Sequence, residues 1–241
     1  MALDRTTIRI DQGEHVAILG PNGSGKSSFI KAITRECYPR YPQESAVRLL
    51  GEQIWHVYDL RVLLGIVSND LMLSCTREVT GREIVLSGFF SSVELCPWHE
   101  VTAAMQAKTD EVLALLEVQH LADRPTTEMS SGEARRVLIG RALVHDPKAL
   151  ILDEPTTSLD LRAMYELRQT MRKLAQSGVS IILVTHNLPD LIPEISRVIL
   201  LREGRVFQDG PKEQILTEDN LAALFGIPAQ LEIRDGYYHF W

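Results

Sequence analysis

The segment GPNGSGKS, Gly20–Ser27, constrains the fold of this chain more than any other stretch of the sequence. It fits the pattern G-x-x-x-x-G-K-[ST], and it lies between the apolar run VAIL at 16–19 and SSFIKAIT, whose spacing is helical. A glycine-rich turn between a buried strand and a helix directs backbone N–H groups and the positive end of the helix toward an anion. The segment therefore predicts a phosphate-binding loop, the P-loop, in an α/β fold.

Within the P-loop, Lys26 is predicted to reach the β and γ oxygens of a nucleotide, and the Ser27 hydroxyl is a candidate ligand of Mg²⁺. The other residues supply the turn and its converging N–H groups. The predicted phosphate-contacting set is Gly20, Pro21, Asn22, Gly23, Ser24, Gly25, Lys26, Ser27 and Ser28.

Strand-like and helical segments alternate along the rest of the chain, which predicts a mainly parallel sheet with helices on both faces. The strand-like segments are AVRLLGEQIW, LLGIVS, ALILDEP, VSIILVTH and RVILLREGRVFQDG, the last as a hairpin turning at Glu203-Gly204. The tail is interpreted as two short helices and a small hairpin through Asp235-Gly236, typical turn residues. We expect one domain over 1–241, with a helical subdomain at 77–122 and a core with a small antiparallel β subdomain at 1–76 and 123–241.

Composition disfavours nucleic-acid-binding, zinc-binding and membrane-spanning proteins. A formal charge of −7 and the lack of a long Lys/Arg run disfavour nucleic acid as a direct partner. The cysteines Cys37, Cys75 and Cys96 lie far apart and lack zinc-site spacing, which favours a reducing compartment. The sequence has neither an apolar signal core nor a run long enough to cross a bilayer, so we expect a cytoplasmic protein.

Asp153 and Glu154 follow an apolar strand, at the edge where open α/β sheets bind ligands. Asp153 is predicted to hold the metal, and Glu154 to orient or deprotonate the water that attacks the γ-phosphate. His186 ends VSIILVTH and is a candidate donor to the same phosphate. For Asp153 and Glu154, the structural alternative is a helix-capping pair. For His186, it is an ordinary polar residue at a sheet edge.

A second glycine-containing turn, SSGE at Ser130–Glu133, occurs about a hundred residues after the P-loop. We refer to it as the SSGE turn. Ser131 and the N–H groups of Gly132 and Glu133 are placed at a predicted helix start, where an anion is stabilised. A capping box is the structural alternative.

The segments GPNGSGKSS, MSSGEARR, ALILDEPTTSLD and ILVTH, in this order, resemble the nucleotide-binding domain of ABC ATPases over almost the whole chain. The resemblance implies ATP and Mg²⁺ as cofactors and head-to-tail pairing with a second such domain, as a homodimer. By the same resemblance, the SSGE turn contacts the partner's γ-phosphate, the loop Ser158, Leu159 and Asp160 links the two sites, and Glu154 and His186 are the catalytic carboxylate and the switch histidine.

Two positions depart from the family pattern. Asn69 stands where the family usually has a Gln that senses Mg²⁺ and the attacking water, and its side chain is one methylene shorter. No Phe, Tyr or Trp precedes Gly20, although the family stacks an early aromatic on adenine. Either an upstream segment is missing, or base recognition is weaker.

The sequence features bear on three possible functions. ILTEDNLAALFGIP resembles importer ATPases for metal chelates and cobalamin, which favours a transporter subunit at the inner face of the membrane, with permease subunits docked on residues 77–122. VLSGFFSSVEL is similar to soluble molybdenum-related ABC ATPases, so a stand-alone ATPase is the alternative. A nucleic-acid clamp is disfavoured by the charge. The aromatic residues of FFSSVELCPW are either core or a docking patch, depending on their exposure.

Overall fold

The computed structural model describes residues 3–40, 46–53, 55–68, 71, 78–228 and 230–241. These residues form two compact units. The first unit is Met1–Leu60 with Ile182–Trp241, and the second is Arg61–Ile181.

The elements are numbered in chain order within the described residues. The strands are β1 (Val16–Leu19), β2 (Leu64–Val67), β3 (Ala149–Asp153), β4 (Ser180–Thr185), β5 (Arg197–Arg202), β6 (Arg205–Pro211), β7 (Leu231–Arg234) and β8 (Tyr237–Phe240). The α-helices are α1 (Lys26–Ile33), α2 (Val57–Leu63), α3 (Gly81–Ser87), α4 (Ala103–Leu115), α5 (Ser131–Leu143), α6 (Leu161–Gln176), α7 (Lys212–Ile215) and α8 (Glu218–Phe225).

β1 is the central strand of the first unit. It pairs in parallel with β4, from Val16↔Ile182 to Leu19↔Thr185, and in parallel with β5 on its other side. All of its side chains are buried, as expected for a strand that is covered on both faces. β6 then pairs antiparallel to β5.

Both predicted hairpins are confirmed. Glu203 and Gly204 join β5 to β6 with φ of 52° and 79°, and Asp235 and Gly236 join β7 to β8 with φ of 52° and 80°. Two successive left-handed residues match the twist of the flanking strands, and glycine at the second position adopts that conformation without steric cost.

The second unit contains the parallel pair β2 and β3, in register from Leu64↔Ala149 to Val67↔Leu152. Helices α3 and α5 pack closely, since a Cβ on Gly88, just beyond α3, would lie 2.4 Å from the carbonyl oxygen of Arg141. The core of this unit is aliphatic, and its fully buried side chains include Ile84, Leu113, Leu121, Ile139, Leu150, Ile151, Leu167 and Leu174.

The predicted fold class, α/β with a mainly parallel sheet and a small antiparallel part, is confirmed. The described residues of 77–122 contain α3, α4 and short 3₁₀ turns. A separate helical subdomain at 77–122 stays a prediction.

The prediction of a strand at AVRLLGEQIW is wrong for the described residues of that segment. Leu50 and Gly51 are both left-handed, with φ of 51° and 87°, so the chain turns back and forms only an isolated bridge between Leu49 and Glu52. Arg35 holds the two arms of this turn, because its guanidinium donates to the carbonyl oxygens of Val47 and Gln53. The alternating pattern could not reveal this tertiary anchor.

Candidate nucleotide site

The P-loop connects β1 to α1 in the first unit, as predicted. Gly23 and Gly25 have φ of 79° and 112°, values that a residue with a side chain rarely adopts. Gly25 is the N-cap of α1, and no side chain caps the helix. The first turn of α1 contains no acidic residue, so the positive end of the helix dipole is not compensated by a local carboxylate.

Lys26 is buried, with 7% of its surface exposed, and its amine folds back over the start of the loop. The Nζ donates to the carbonyl oxygens of Gly20 at 2.7 Å and Pro21 at 3.2 Å. These two hydrogen bonds hold the amine against the loop. This is the position from which a cation can pair with phosphate oxygens.

The loop is packed against the turn that joins β5 and β6. Gly204 donates its N–H to the Ser24 carbonyl oxygen at 2.8 Å, and a Cβ on Gly20 would lie 2.3 Å from the Leu201 carbonyl oxygen. The Ser24 hydroxyl is buried and has no hydrogen-bond partner in the described structure. Gly20 therefore has no room for a side chain beside the Leu201 backbone. Asn22 and Gly23, in contrast, are exposed at the surface.

His186 lies beside the P-loop within the first unit. It directly follows β4, and Gly20 donates its N–H to the Thr185 carbonyl oxygen at 3.3 Å. A buried network fixes the residues on either side of it. The Thr185 hydroxyl donates to Asp190 at 3.1 Å, and the backbone N–H of Asn187 donates to the Thr185 hydroxyl at 3.0 Å. The Asn187 amide also donates to Asp190 at 3.0 Å.

In the second unit, Asp153 ends β3 and Glu154 follows it with φ of 48°. Asp160 is the N-cap of α6, because its carboxylate accepts the Ala163 N–H at 2.8 Å. Between these residues, the Glu154 carbonyl oxygen accepts the Thr157 N–H at 3.2 Å. The three predicted carboxylates therefore lie on one continuous turn between β3 and α6.

The SSGE turn opens α5 at the predicted helix start. Ser130 is the N-cap, and it forms the capping box that was the structural alternative. Its hydroxyl accepts the Glu133 N–H at 3.3 Å, and the Glu133 carboxylate accepts the Ser130 N–H at 2.8 Å. The Glu133 N–H is thus already used, and Ser131 and Gly132 hold the remaining N–H groups at the helix start.

The capping box also sets the charge at this turn. The hydrogen bond from the Ser130 backbone holds the pKa of the Glu133 carboxyl below its usual value, and Arg124, 3.6 Å away, acts in the same direction. Gly132 faces α6 closely, since a Cβ there would lie 2.7 Å from the Ala163 Cβ. Only glycine allows this contact between the two helix starts without a shift.

Asn69, predicted to contact nucleotide and metal, lies outside the described residues, as does Cys75. Of the aromatic residues in FFSSVELCPW, Phe89 and Phe90 are half-buried, whereas 77% of Trp98 is exposed. Phe90 stacks on His99 at 4.1 Å between ring centroids. The segment is therefore partly packed and partly at the surface.

A family model described as ABC transporter matches residues 3–157, which include the P-loop, the SSGE turn and Asp153-Glu154. The chain belongs to the ABC transporter family. Members of this family bind and hydrolyse ATP, so this cassette is an ATPase. ABC cassettes dimerise and pair with membrane subunits.

Relatives and solved structures of ABC proteins align with most of this cassette. It is 32% identical to the cobalt import ATP-binding protein CbiO of Rhodobacter capsulatus, over 96% of this chain and 81% of the relative. It is also 32% identical to the hemin import ATP-binding protein HmuV of Rhodopseudomonas palustris, over 97% of this chain and 85% of the relative. The structure of cbiO1 from Clostridium perfringens, part of the complex cbiONQ, aligns with a TM-score of 0.77, 28% identity and coverage of 92% and 86%. A dimeric bacterial ABC transporter cassette aligns with a TM-score of 0.69, 25% identity and coverage of 87% and 90%.

In the part of this ABC chain that the structure describes, no helix has both the length and the apolar character needed to cross a membrane.

Two groups at the site were missed by reasoning from the sequence. Ser130 could have been found, because it stands three residues before Glu133, the spacing of a capping box. Arg135 could not have been found in this way, because a charged residue on a helix is usually exposed. In the structure, only 3% of its surface is exposed. Its guanidinium donates to the carbonyl oxygens of Glu154 and Thr157, each at 3.4 Å.

Proposed function

We propose that this chain is the ATP-hydrolysing subunit of an importer, and that it pairs head to tail with a second copy around two Mg-ATP. The observation that supports the proposal is the presence, in one chain, of two helices that start at glycine-containing turns. One is the uncapped start of α1 behind the P-loop, and the other is the start of α5, where Ser131 and Gly132 hold the remaining N–H groups. In a head-to-tail pair, each ATP lies between the P-loop of one copy and the SSGE turn of the other.

Residues of the first unit bind the phosphates and contact the γ-phosphate. Backbone N–H groups of the P-loop surround the β-phosphate, and Lys26 exchanges its carbonyl partners for β and γ oxygens. His186 donates a hydrogen bond to the γ-phosphate, and the network around Thr185 and Asp190 holds the backbone on either side of it.

The donor chemistry of the chain fits Mg²⁺. The Ser27 hydroxyl and the Asp153 carboxylate are hard oxygen donors, which Mg²⁺ prefers together with phosphate oxygens and water, and Asn69 offers an amide oxygen. When bound, Mg²⁺ neutralises charge on the β- and γ-phosphates. Glu154 orients the attacking water and accepts its proton.

In the second unit, the SSGE turn and the loop Ser158–Asp160 face the partner. Ser131 and Gly132 donate N–H groups to the partner's γ-phosphate, and Glu133 supports the turn through its bond to Ser130. Asp160 holds the start of α6 and thereby the loop before it. Contact across the dimer is thus made mainly by backbone donors, which carry no charge of their own.

The cargo class follows from the relatives. CbiO is named for cobalt import and HmuV for hemin import, and both align over nearly the full chain. We infer that the cargo is a metal ion or a metal complex. The membrane subunits are separate chains docked on a helical subdomain at 77–122, with the ATPase in the cytoplasm at the inner face of the membrane.

The proposal is tested with the Glu154→Gln variant, which keeps the shape of the side chain but replaces one acceptor oxygen by an NH2 group and removes the charge and basicity. Hydrolysis should fall by about 10² to 10⁴-fold, the range of general base catalysis. Light scattering should detect a dimer with Mg-ATP and a monomer without nucleotide. Glu232→Gln, which changes an exposed carboxylate on β7, serves as the control and should hydrolyse ATP normally.

The trapped dimer then identifies the partner. Capture of an integral membrane protein from a detergent extract supports the importer. Capture of soluble partners alone would replace it with the stand-alone ATPase, and full hydrolysis by Glu154→Gln would remove Glu154 from its role.

A further inference from the structure

Arg135 is a buried cation that lacks a carboxylate partner in the described part of the chain. It lies on α5, and only 3% of its surface is exposed. Its neighbour Arg136 forms an ion pair with Glu166 at 3.1 Å, but the Arg135 guanidinium contacts carbonyl oxygens instead. The two consecutive arginines therefore have different roles in the second unit.

Burial of the Arg135 guanidinium carries a desolvation cost. Burial lowers the pKa of its guanidinium, because the charged form has lost water, and its Nε has no hydrogen-bond partner. Replacing a buried charge by an apolar side chain of similar volume is often neutral or stabilising. Packing energy alone does not explain why the chain has an arginine here.

The two carbonyl groups that Arg135 binds belong to the turn that carries Glu154. One is the carbonyl of Glu154 itself, and the other is that of Thr157, directly before Ser158. Glu154 and Ser158 have φ of 48° and 65°, in the left-handed region that residues with side chains seldom occupy. Such residues persist only where the surroundings hold them. The planar guanidinium donates to the two carbonyls through two different nitrogens in a fixed fork, a geometry that the single ammonium nitrogen of a lysine does not reproduce.

We propose that Arg135 is a positioning residue for ATP hydrolysis, which holds the backbone of Glu154 so that its carboxylate meets the attacking water. This inference rests on the proposed role of Glu154. Arg135 also lies one helical turn after Ser131, on the same side of α5. The helix start that faces the partner's nucleotide is therefore joined, through Arg135, to the carboxylate that serves the chain's own nucleotide.

The test is Arg135→Met, which keeps an unbranched side chain but removes the charge and both hydrogen bonds. We expect kcat to fall by on the order of 10 to 100-fold, as for a slightly misplaced catalytic group, with little change in KM for ATP. The melting temperature should equal or exceed that of the wild type. The Glu154→Gln protein should still form its ATP-dependent dimer when it also carries Arg135→Met.

Two further variants separate positioning from general packing. Arg135→Lys keeps the charge without the two-carbonyl geometry, so its kcat should stay well below that of the wild type. Arg141, on the same helix, donates to the Ser92 carbonyl oxygen at 2.7 Å and to the Ser87 hydroxyl, far along α5 from Ser131. Arg141→Met should leave kcat nearly unchanged.

The outcomes are distinct. Wild-type kcat in Arg135→Met, a raised KM with unchanged kcat, or an equal loss of kcat in Arg141→Met would each overturn the positioning role and leave the proposed function standing. Failure of the wild type to hydrolyse ATP would overturn both.

Discussion

The P-loop and the SSGE turn both open a helix toward an anion, but only the SSGE turn is capped by side chains. At α1 the N-cap is the left-handed Gly25, and no side chain accepts a hydrogen bond from the first turn. At α5, Ser130 and Glu133 satisfy each other's N–H groups. The P-loop thus keeps its helix start for a ligand, whereas half of the SSGE turn is already satisfied within the chain.

This difference agrees with the nucleotide that each turn is proposed to bind. A turn that binds the nucleotide of its own chain gains from an uncompensated helix start and a nearby ammonium, here Lys26. A turn that is exposed until a partner arrives gains from a cap, because unsatisfied N–H groups and fraying both reduce helix stability. The Glu133 carboxylate also repels the negative charge of a phosphate that approaches the SSGE turn. This repulsion favours binding of ATP at the turn only when a partner's P-loop holds the same phosphate.

Among variants of the two turns, the largest effect should come from Lys26→Met, which removes the cation from the P-loop. Hydrolysis should fall by about 10² to 10³-fold, because a positive group directed at the transferred phosphate is lost. A coupled assay of phosphate release measures the rate. Lys31→Met, at the exposed end of the same helix, is the control and should hydrolyse ATP at the wild-type rate. Equal activity of both variants would contradict the role of Lys26.

Ser131→Arg should act on the partner side alone. An arginine at the helix start overpacks the space proposed for the γ-phosphate, so ATP-dependent dimerisation should weaken by about 10 to 100-fold. ATP binding to the single chain should be unaffected. Analytical ultracentrifugation measures the dimer, and calorimetry in dilute solution measures ATP binding. Ser177→Arg, an exposed position at the C-terminal end of α6, is the control and should dimerise normally. Unimpaired dimerisation of Ser131→Arg would place the SSGE turn outside the interface.

The smallest effect is expected from removing the cap. Ser130→Ala should lower the free energy of unfolding by about 1 kcal/mol, the usual cost of losing an N-cap side chain. Thr80→Ala removes an equivalent capping box, formed with Glu83 at the start of α3. Urea denaturation should give similar losses for the two variants, and only Ser130→Ala should also weaken the ATP-dependent dimer. A dimer weakened equally by both would show that capping affects assembly only through stability.

The sequence was sufficient to predict the features that depend on local backbone geometry. These are the P-loop GPNGSGKS, the two hairpins and the alternation of strands and helices. Gly23 and Gly25 are left-handed in the structure, and Glu203-Gly204 turns where its residue types suggested. The turn at Leu50-Gly51 was not predictable from the same kind of pattern. There Arg35, distant in sequence, holds both arms of the turn.

The sequence by itself determined the order of the motifs, the nucleotide chemistry of the P-loop and the class of the fold, since these follow from residue type and spacing over a few residues. Only the tertiary structure decided that Gly132 lies against Ala163 and that Arg135 is buried against the Glu154 turn. The reason is physical. A helix pattern states which residues share a face, but the neighbour that packs on that face determines whether a charge there meets water or the backbone of a catalytic turn.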